Sequence, residues 1–411
     1  MSSLTCLVVD FDGTQPAYAD VEPLVGPMVT QAAHEMLRSP RPHLGFISRP
    51  PSDFGNDPLQ VREAIYNLNA WAAIVVSLSY PFFLSPRIKL NQLQVNPNAT
   101  FLLRKAVTEG NASYDPMGAC QVIYVQARDQ TTHDSYITPQ LNMFQTQITA
   151  SFGAMWTRQT LKDASIPISS LQAAPQALSP AIGFSQYNLR PFAPATATPA
   201  VTIGLIYLII IAFFSFSFFL PIYLKFANPD GHPVIAFWKL TVLRYLGANG
   251  AYFFMSLFYS LISLAFQIPF ANDTASHTMV AENANTYGKG TFVVYWMVNF
   301  VGMSALGMAC ENMAMLVGQP WVSLWLIFWV ITNVSTSFYS LDLSPKFYYW
   351  GYAWPLQNIV EASRSLLFDL HSRIGLNFGV LFCWVAVNSA LFPFCCRFMR
   401  WKEEREKKGK N

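Results

Sequence analysis

The sequence predicts an α/β domain followed by an all-α polytopic transmembrane bundle, and three observations carry that reading. Of 411 residues, 52% are hydrophobic and only 12% charged, against roughly 25% charged in an average soluble domain. The deficit is uneven, because residues 1–200 mix charges and prolines normally while residues 201–400 hold long uncharged runs. In the first part, strand-like and helix-like segments alternate, as they do in α/β layers.

Taken in order, Leu4–Val9 reads as a buried strand, Val21–Leu37 as a helix and His43–Ser48 as a second strand. Pro58–Leu68 reads as a helix, Ala70–Leu78 as a strand and Thr100–Thr108 as a helix. Ala119–Gln126 is a further strand and Ser135–Leu161 a long amphipathic helix. Residues 1–165 are therefore expected to form an α/β domain with a small, mainly parallel or mixed sheet. Residues 166–200 hold six prolines among Ser, Ala and Thr, a composition that suits an extended tether into the membrane.

A helix crossing the ~30 Å hydrocarbon layer needs about 20 mostly apolar residues. Five runs within 201–396 meet that need, at about 201–223, 247–269, 291–317, 321–339 and 374–394. A single run of this kind can be a buried core helix, but a soluble core cannot hide five. Between the last two runs lies Pro355–His371. It sets Leu356, Ile359, Val360, Leu367 and Leu370 among Gln357, Glu361 and Arg364. That pattern predicts an interfacial helix or a re-entrant piece. The preceding Tyr348, Tyr349, Trp350, Tyr352 and Trp354 read as an aromatic belt. Belt and helix either anchor the bundle or gate it.

Glu311 is the one acid in its apolar span, and intramembrane ionisable groups are functional candidates by default. Its place toward the cytosolic end also allows a purely structural role, in reach of water. Glu361 and Arg364 join it as candidate functional residues. Ala305 and Ala309, four apart, are small enough for close helix contact.

Positive charge sets the expected orientation. The tail 397–411 carries seven Lys/Arg, and the loop after the first span carries Lys225, Lys239 and Arg244. Five spans put both on one side, the cytosolic one, so residues before Val201 face away from the cytosol. N-x-S/T sequons at Asn98, Asn111 and Asn272 fall on that outer side and are glycosylation candidates. A fourth, Asn333-Val334-Ser335, lies inside a span, where Asn333 is expected to hydrogen-bond another helix. Placing such a domain outside requires a leader, so a transmembrane helix ahead of Met1 is expected. The alternative, an inverted topology, leaves the basic tail outside. Cys6 and Cys120 are candidates for a disulfide in an extracytoplasmic domain, or else two buried thiols. Cys395 and Cys396, beside basic residues, are palmitoylation candidates, or else ordinary interfacial thiols.

One string invites an enzymatic reading. Leu7-Val8-Val9-Asp10-Phe11-Asp12-Gly13-Thr14 resembles the nucleophile motif of the haloacid dehalogenase superfamily. There the first Asp attacks, the second serves as general acid/base, and both help hold Mg²⁺. The remaining parts of such a site are missing. Ser79-Tyr80-Pro81 and Ala127-Arg128-Asp129-Gln130 supply no acidic pair, and Lys105 has no supporting context. Asp and Gly after a strand are also ordinary turn residues. No catalytic residue, metal or cofactor is assigned. The net charge of +3, without a basic stripe, sets nucleic acid aside.

Several strings recur together: Val8-Val9-Asp10-Phe11-Asp12, Val25-Gly26-Pro27, Asn188-Leu189-Arg190-Pro191-Phe192, Ile203-Gly204-Leu205-Ile206-Tyr207, and the segment from Tyr349 to Asn358. In this order they resemble a fungal membrane family named for nitrosoguanidine resistance, whose shared region is a domain of unknown function. Its members look like membrane subunits of type-2 ABC exporters, with an N-terminal span, an extracytoplasmic α/β domain and a C-terminal bundle. The resemblance implies resistance, export or lipid handling in the plasma membrane or another secretory-pathway membrane. It implies no ATP-binding domain, and the chain has no G-x-x-x-x-G-K-[ST] string. Expected partners are the bilayer, a small hydrophobic substrate or lipid, and further copies in a homo-oligomer. The competing readings are a membrane-anchored adaptor whose α/β domain binds partners and, third, a membrane-tethered phosphatase.

Overall fold

The computed structural model describes residues 2–14, 21–40, 42–76, 98–227, 235–270, 287–318 and 321–408. The chain divides after Pro191 into two compact units.

The first unit is built on a five-stranded mixed sheet. Its strands are β1 (Thr5–Asp10), β2 (Gly45–Arg49), β3 (Ala72–Val76), β4 (Cys120–Tyr124) and β5 (Phe184–Asn188), in the order β2-β1-β3-β4-β5. β1 runs parallel to β2 and β3, β4 is antiparallel to β3, and β5 is parallel to β4. All five residues of β3 are buried, as expected for a central strand covered on both faces, which reads as one apolar run rather than an alternation. Helices α1 (Val25–Arg38), α2 (Pro58–Tyr66) and α3 (Ala99–Glu109) precede the 25-residue α4 (Thr138–Lys162). α4 buries Leu141, Phe144, Ile148, Phe152 and Trp156, a spacing of three and four that keeps one face inward.

Residues 166–191 of the expected tether are a packed part of this unit. Residues 166–200 include α5 (Ile168–Ala173) and β5, whose residues pair with β4 from Phe184↔Cys120 to Asn188↔Tyr124. The prolines misled because several stand in turns or first helical turns, where the missing N–H is not needed. Pro167, for example, is the residue just before α5.

The second unit is helical: α6 (Ile206–Ala227), α7 (Phe237–Ala265), α8 (Thr291–Val317), α9 (Val322–Ser337), α10 (Pro355–Phe368) and α11 (Ile374–Lys408). Four of these, α6, α7, α8 and α11, are long and apolar enough to cross a bilayer. The run expected as a further span, 321–339, is the 16-residue α9, which rises only about 24 Å. Phe218, Phe254, Phe258, Leu324, Ile331 and Phe382 stand exposed on these helices, apolar area that water would not tolerate and lipid would. α8 has the opposite character, being buried almost continuously from Val298 to Asn312.

Two boundaries move, and one helix changes place. α7 begins at Phe237, so Lys239 and Arg244 are helical residues and not loop charges. α11 continues past Phe394 to Lys408, making the first part of the basic tail helical. α10 is buried around nearly its whole circumference, with Glu361 and Ser365 its half-buried residues. It lies against α8, α9 and α11, so it is an interior helix of the bundle and not one lying on its surface.

Candidate functional site

The bundle has an apolar outside and encloses a row of polar side chains, to which α8 contributes Asn299, Ser304, Glu311 and Asn312. Near its start, Tyr295 shares a hydrogen bond with Ser263 of α7 at 3.1 Å. One turn on, Asn299 Nδ2 donates to Ser260 Oγ at 3.0 Å. Trp296 Nε1 donates to Ser256 Oγ at 3.2 Å. Ser256, Ser260 and Ser263, four and three apart on α7, thus face a matching row on α8. Toward the other end, Asn312 Nδ2 donates to the backbone oxygen of Asn388 on α11 at 2.9 Å.

Glu311 stands in this row, 2% exposed. Its Oε1 accepts from the Tyr252 hydroxyl at 3.2 Å. A glycine makes this contact. A Cβ on Gly307, one turn before Glu311, would overlap the Tyr252 ring, so the ring lies where residue 307 has no side chain. Four buried polar atoms of α8 have no hydrogen-bond partner among the described residues: Asn299 Oδ1, Ser304 Oγ, Glu311 Oε2 and Asn312 Oδ1. Each is the kind of group a bilayer interior disfavours unless it meets a ligand, water or another polar surface.

Arg244 enters the same interior from α7. It is 2% exposed, and its guanidinium lies 5.0 Å from the Tyr223 ring and 5.9 Å from the Phe392 ring. Its Nη1 reaches Met399 Sδ at 3.8 Å, while Nε and Nη2 have no partner among the described residues. Reading this residue as a loop charge concealed it; a cation eight residues inside an apolar helix is the signal that would have found it.

The other predicted residues fall as follows. Glu361 accepts from Gln357 Nε2 at 3.3 Å, and Arg364 is buried in α10, one turn from Glu361. Ala305 and Ala309 are buried in α8. Asn333 Oδ1 accepts from the Leu356 N–H at 3.2 Å, satisfying a donor at the start of α10 from a different helix. Cys395 and Cys396 are buried in α11, with Cys396 Sγ against Met315 Sδ at 3.6 Å. Asn98 is buried, and Thr100 of the same sequon is buried with it, which removes this acceptor from reach in the folded domain. Asn111 is exposed; Asn272 lies outside the described residues.

Cys6 and Cys120 are free buried thiols. Cys6 pairs with Ala72 on β3, whereas Cys120 pairs with Val76. They are two strands and four residues apart, on the order of 10 Å or more, beyond the ~7 Å limit for a disulfide. Burial pushes both thiols well above their ordinary pKa.

Asp10 and Asp12 hold the end of β1 to two helix starts. Asp12 Oδ2 accepts from Gly26 N at 3.3 Å, and Oδ1 from Thr100 N at 3.1 Å. The Thr100 hydroxyl donates to Asp12 Oδ2 and accepts from the Leu24 and Val25 N–H groups at 2.9 and 3.1 Å. One carboxylate therefore serves the N-termini of α1 and α3. Asp10 Oδ1 accepts from Asp12 N at 2.9 Å, and a Cβ on Gly26 would strike the Asp10 carboxylate. Burial raises the Asp10 pKa to about 6, partly opposed by that hydrogen bond. Lys105 is elsewhere, in an exposed pair with Glu109. Thr100, 88 residues from Asp12, was not foreseen as its partner.

The recurring strings now have structural roles. Val25-Gly26 opens α1 under Asp10 and Asp12. Asn188 Nδ2 donates to Gln126 Oε1 at 3.0 Å, and Arg190 lies over the Tyr66 ring at 5.0 Å, so that string fastens β5 to the turn after β4 and to the end of α2.

No solved structure is similar to the chain. An uncharacterized endoplasmic reticulum membrane protein of Saccharomyces cerevisiae is 28% identical over 318 residues, covering 74% of this chain. The chain spans 58% of the length of that relative. Together with the apolar helices, this makes the chain an integral membrane protein. Residues 91–390 match a family described as protein of unknown function, DUF3533, and the chain belongs to that family.

Proposed function

We propose that this is an exporter-like or lipid-handling membrane protein, linked to drug or mutagen resistance and without an ATPase of its own. The observation that supports it is the polar row of α8, with unpartnered atoms at Asn299, Ser304, Glu311 and Asn312. A helix that only anchors a domain has no need of such groups, which are unfavourable in hydrocarbon. The α/β domain is read as extracytoplasmic and the basic end of α11 as cytosolic. The name of the yeast relative favours the endoplasmic reticulum among secretory-pathway membranes. Cells carrying Glu311→Gln or Asn299→Leu in place of the parent chain should lose mutagen tolerance or shift their lipid distribution. Normal expression with neither change would sink this reading.

A groove of about 830 Å³ along α4, lined by Thr146, Gly153, Thr157, Ile182 and Phe184 among others, favours the adaptor as second reading. Grafting the α/β domain onto an unrelated span separates the two, since full rescue by the graft favours the adaptor. No enzymatic step is assigned to Asp10 and Asp12, because Asp12 is engaged by two helix starts. Mg²⁺-dependent phosphate release by the purified chain, lost in Asp10→Asn, would overturn that assignment.

A further inference from the structure

Arg244 and Glu311 are both buried in the bundle with opposite charge, and each keeps part of its hydrogen-bonding capacity unused. In Arg244 the unused atoms are Nε and Nη2. These two form one edge of the guanidinium and present parallel N–H groups, the geometry that grips a carboxylate or phosphate with two bonds. In Glu311 the unused atom is Oε2, an acceptor that suits an N–H donor. The Arg244 guanidinium meets Phe392 and Met399 of α11, and Cys396 between them meets Met315, one turn after Glu311, so the two groups share one interior. Removing a guanidinium and a carboxylate from water without completing either is strongly unfavourable, and what completes both at once has an oxyanion at one end and an ammonium at the other. Because the pair sums to zero charge, that complement is net neutral.

We propose that Arg244 and Glu311 form a binding site for a zwitterionic headgroup, an oxyanion on the Arg244 edge and a protonated amine on Glu311 Oε2. This rests on the lipid-handling reading and names its substrate class. Tyr252, held over Gly307, fixes Glu311 through Oε1 and leaves Oε2 to the ligand. The site distinguishes a primary ammonium from a quaternary one, since the latter has no N–H to donate.

The test uses the full chain in a neutral detergent, with thermal unfolding followed against short-chain phosphatidylethanolamine, phosphatidylcholine and phosphatidylglycerol. A ligand that binds the folded state raises the midpoint in a saturable way. Phosphatidylethanolamine should bind at least tenfold more tightly than either of the others, and Arg244→Gln and Glu311→Gln should each abolish its effect. Arg244→Lys, which keeps charge and loses the two-bond edge, should weaken it by a similar factor. A free phosphoethanolamine arm separates sources: a shift by the soluble compound assigns the site to the headgroup alone, and none assigns it to the whole lipid. Equal shifts by all three lipids in the parent chain overturn the proposal whether or not the variants fold. Non-selective binding with a lost cellular phenotype in Glu311→Gln would discard the zwitterion and keep the transport reading. Selective binding with an unchanged phenotype would do the reverse.

Discussion

Tyr252 reaches Glu311 across the space that Gly307 leaves empty: the hydroxyl is 3.2 Å from Oε1, and any side chain at 307 would occupy the ring's position. Gly307→Val should therefore displace the ring and leave Glu311 without its donor. Overpacking of this kind destabilises by about 1–3 kcal/mol, and the lost hydrogen bond adds about 1 kcal/mol. Thermal unfolding in detergent should show it, with Tyr252→Phe giving only the smaller part. Equal effects from the two variants would contradict the space-filling account.

Asp12 is expected to be the most sensitive position of the α/β domain. Asp12→Ala removes the acceptor for Gly26 N and Thr100 N together, a loss of roughly 3 kcal/mol. Limited proteolysis of the full chain should then cut residues 1–191 much faster while sparing the bundle. Asp12→Asn, which keeps one acceptor oxygen, should fall between.

Asp10 gives the domain a specific pH dependence. Its folded-state pKa is raised from 3.8 to about 6 by burial, so the protonated form is the one that folding favours. The associated stability is fully present below about pH 3.8 and is lost as pH rises through about 6, on the order of 3 kcal/mol in all. Asp10→Asn mimics the protonated group. Its stability advantage over the parent should grow between pH 4 and pH 7, and a pH-independent difference would refute the assignment.

The sequons separate by burial. If the α/β domain is extracytoplasmic, Asn111→Gln should remove a glycosidase-sensitive step in gel mobility, whereas Asn98→Gln should leave mobility unchanged. A glycan on Asn98 would mean that this segment is modified before it folds, or is not buried.

Helix α8 was legible to the residue because its apolar run lies between Gly290 and Gly318, and both glycines stand at the helix ends. The start of α7 was not, since Lys239 and Arg244 look like loop charges until the bundle that buries Arg244 is known. β5 was hidden by its flanking prolines and by a sequence, Phe184-Ser185-Gln186-Tyr187-Asn188, too polar to read as a strand by itself. It is a strand because β4 offers it an edge. The strings around Asp10 and Gly26 were visible, yet their meaning required Thr100, brought in from the far side of the sequence. Local pattern reports which segments are apolar; it cannot report which distant group completes a buried carboxylate. Glu311 stood out as an intramembrane acid, while Tyr252 and Gly307 are unremarkable one at a time and acquire a role only as a pair.

Short α9 carries a further consequence. It presents Leu324, Ile327, Phe328 and Ile331 outward over a rise of about 24 Å, while its neighbours α6 and α8 extend for about 33 Å and about 40 Å. Lipid on that flank meets a hydrophobic wall several ångströms lower than the acyl layer it belongs to. Hydrophobic mismatch of this kind thins the adjoining leaflets at a cost of fractions of a kcal/mol per ångström, less where the membrane is already thin, as at about 27 Å in the endoplasmic reticulum. The bundle would thus carry a local defect in bilayer thickness with it.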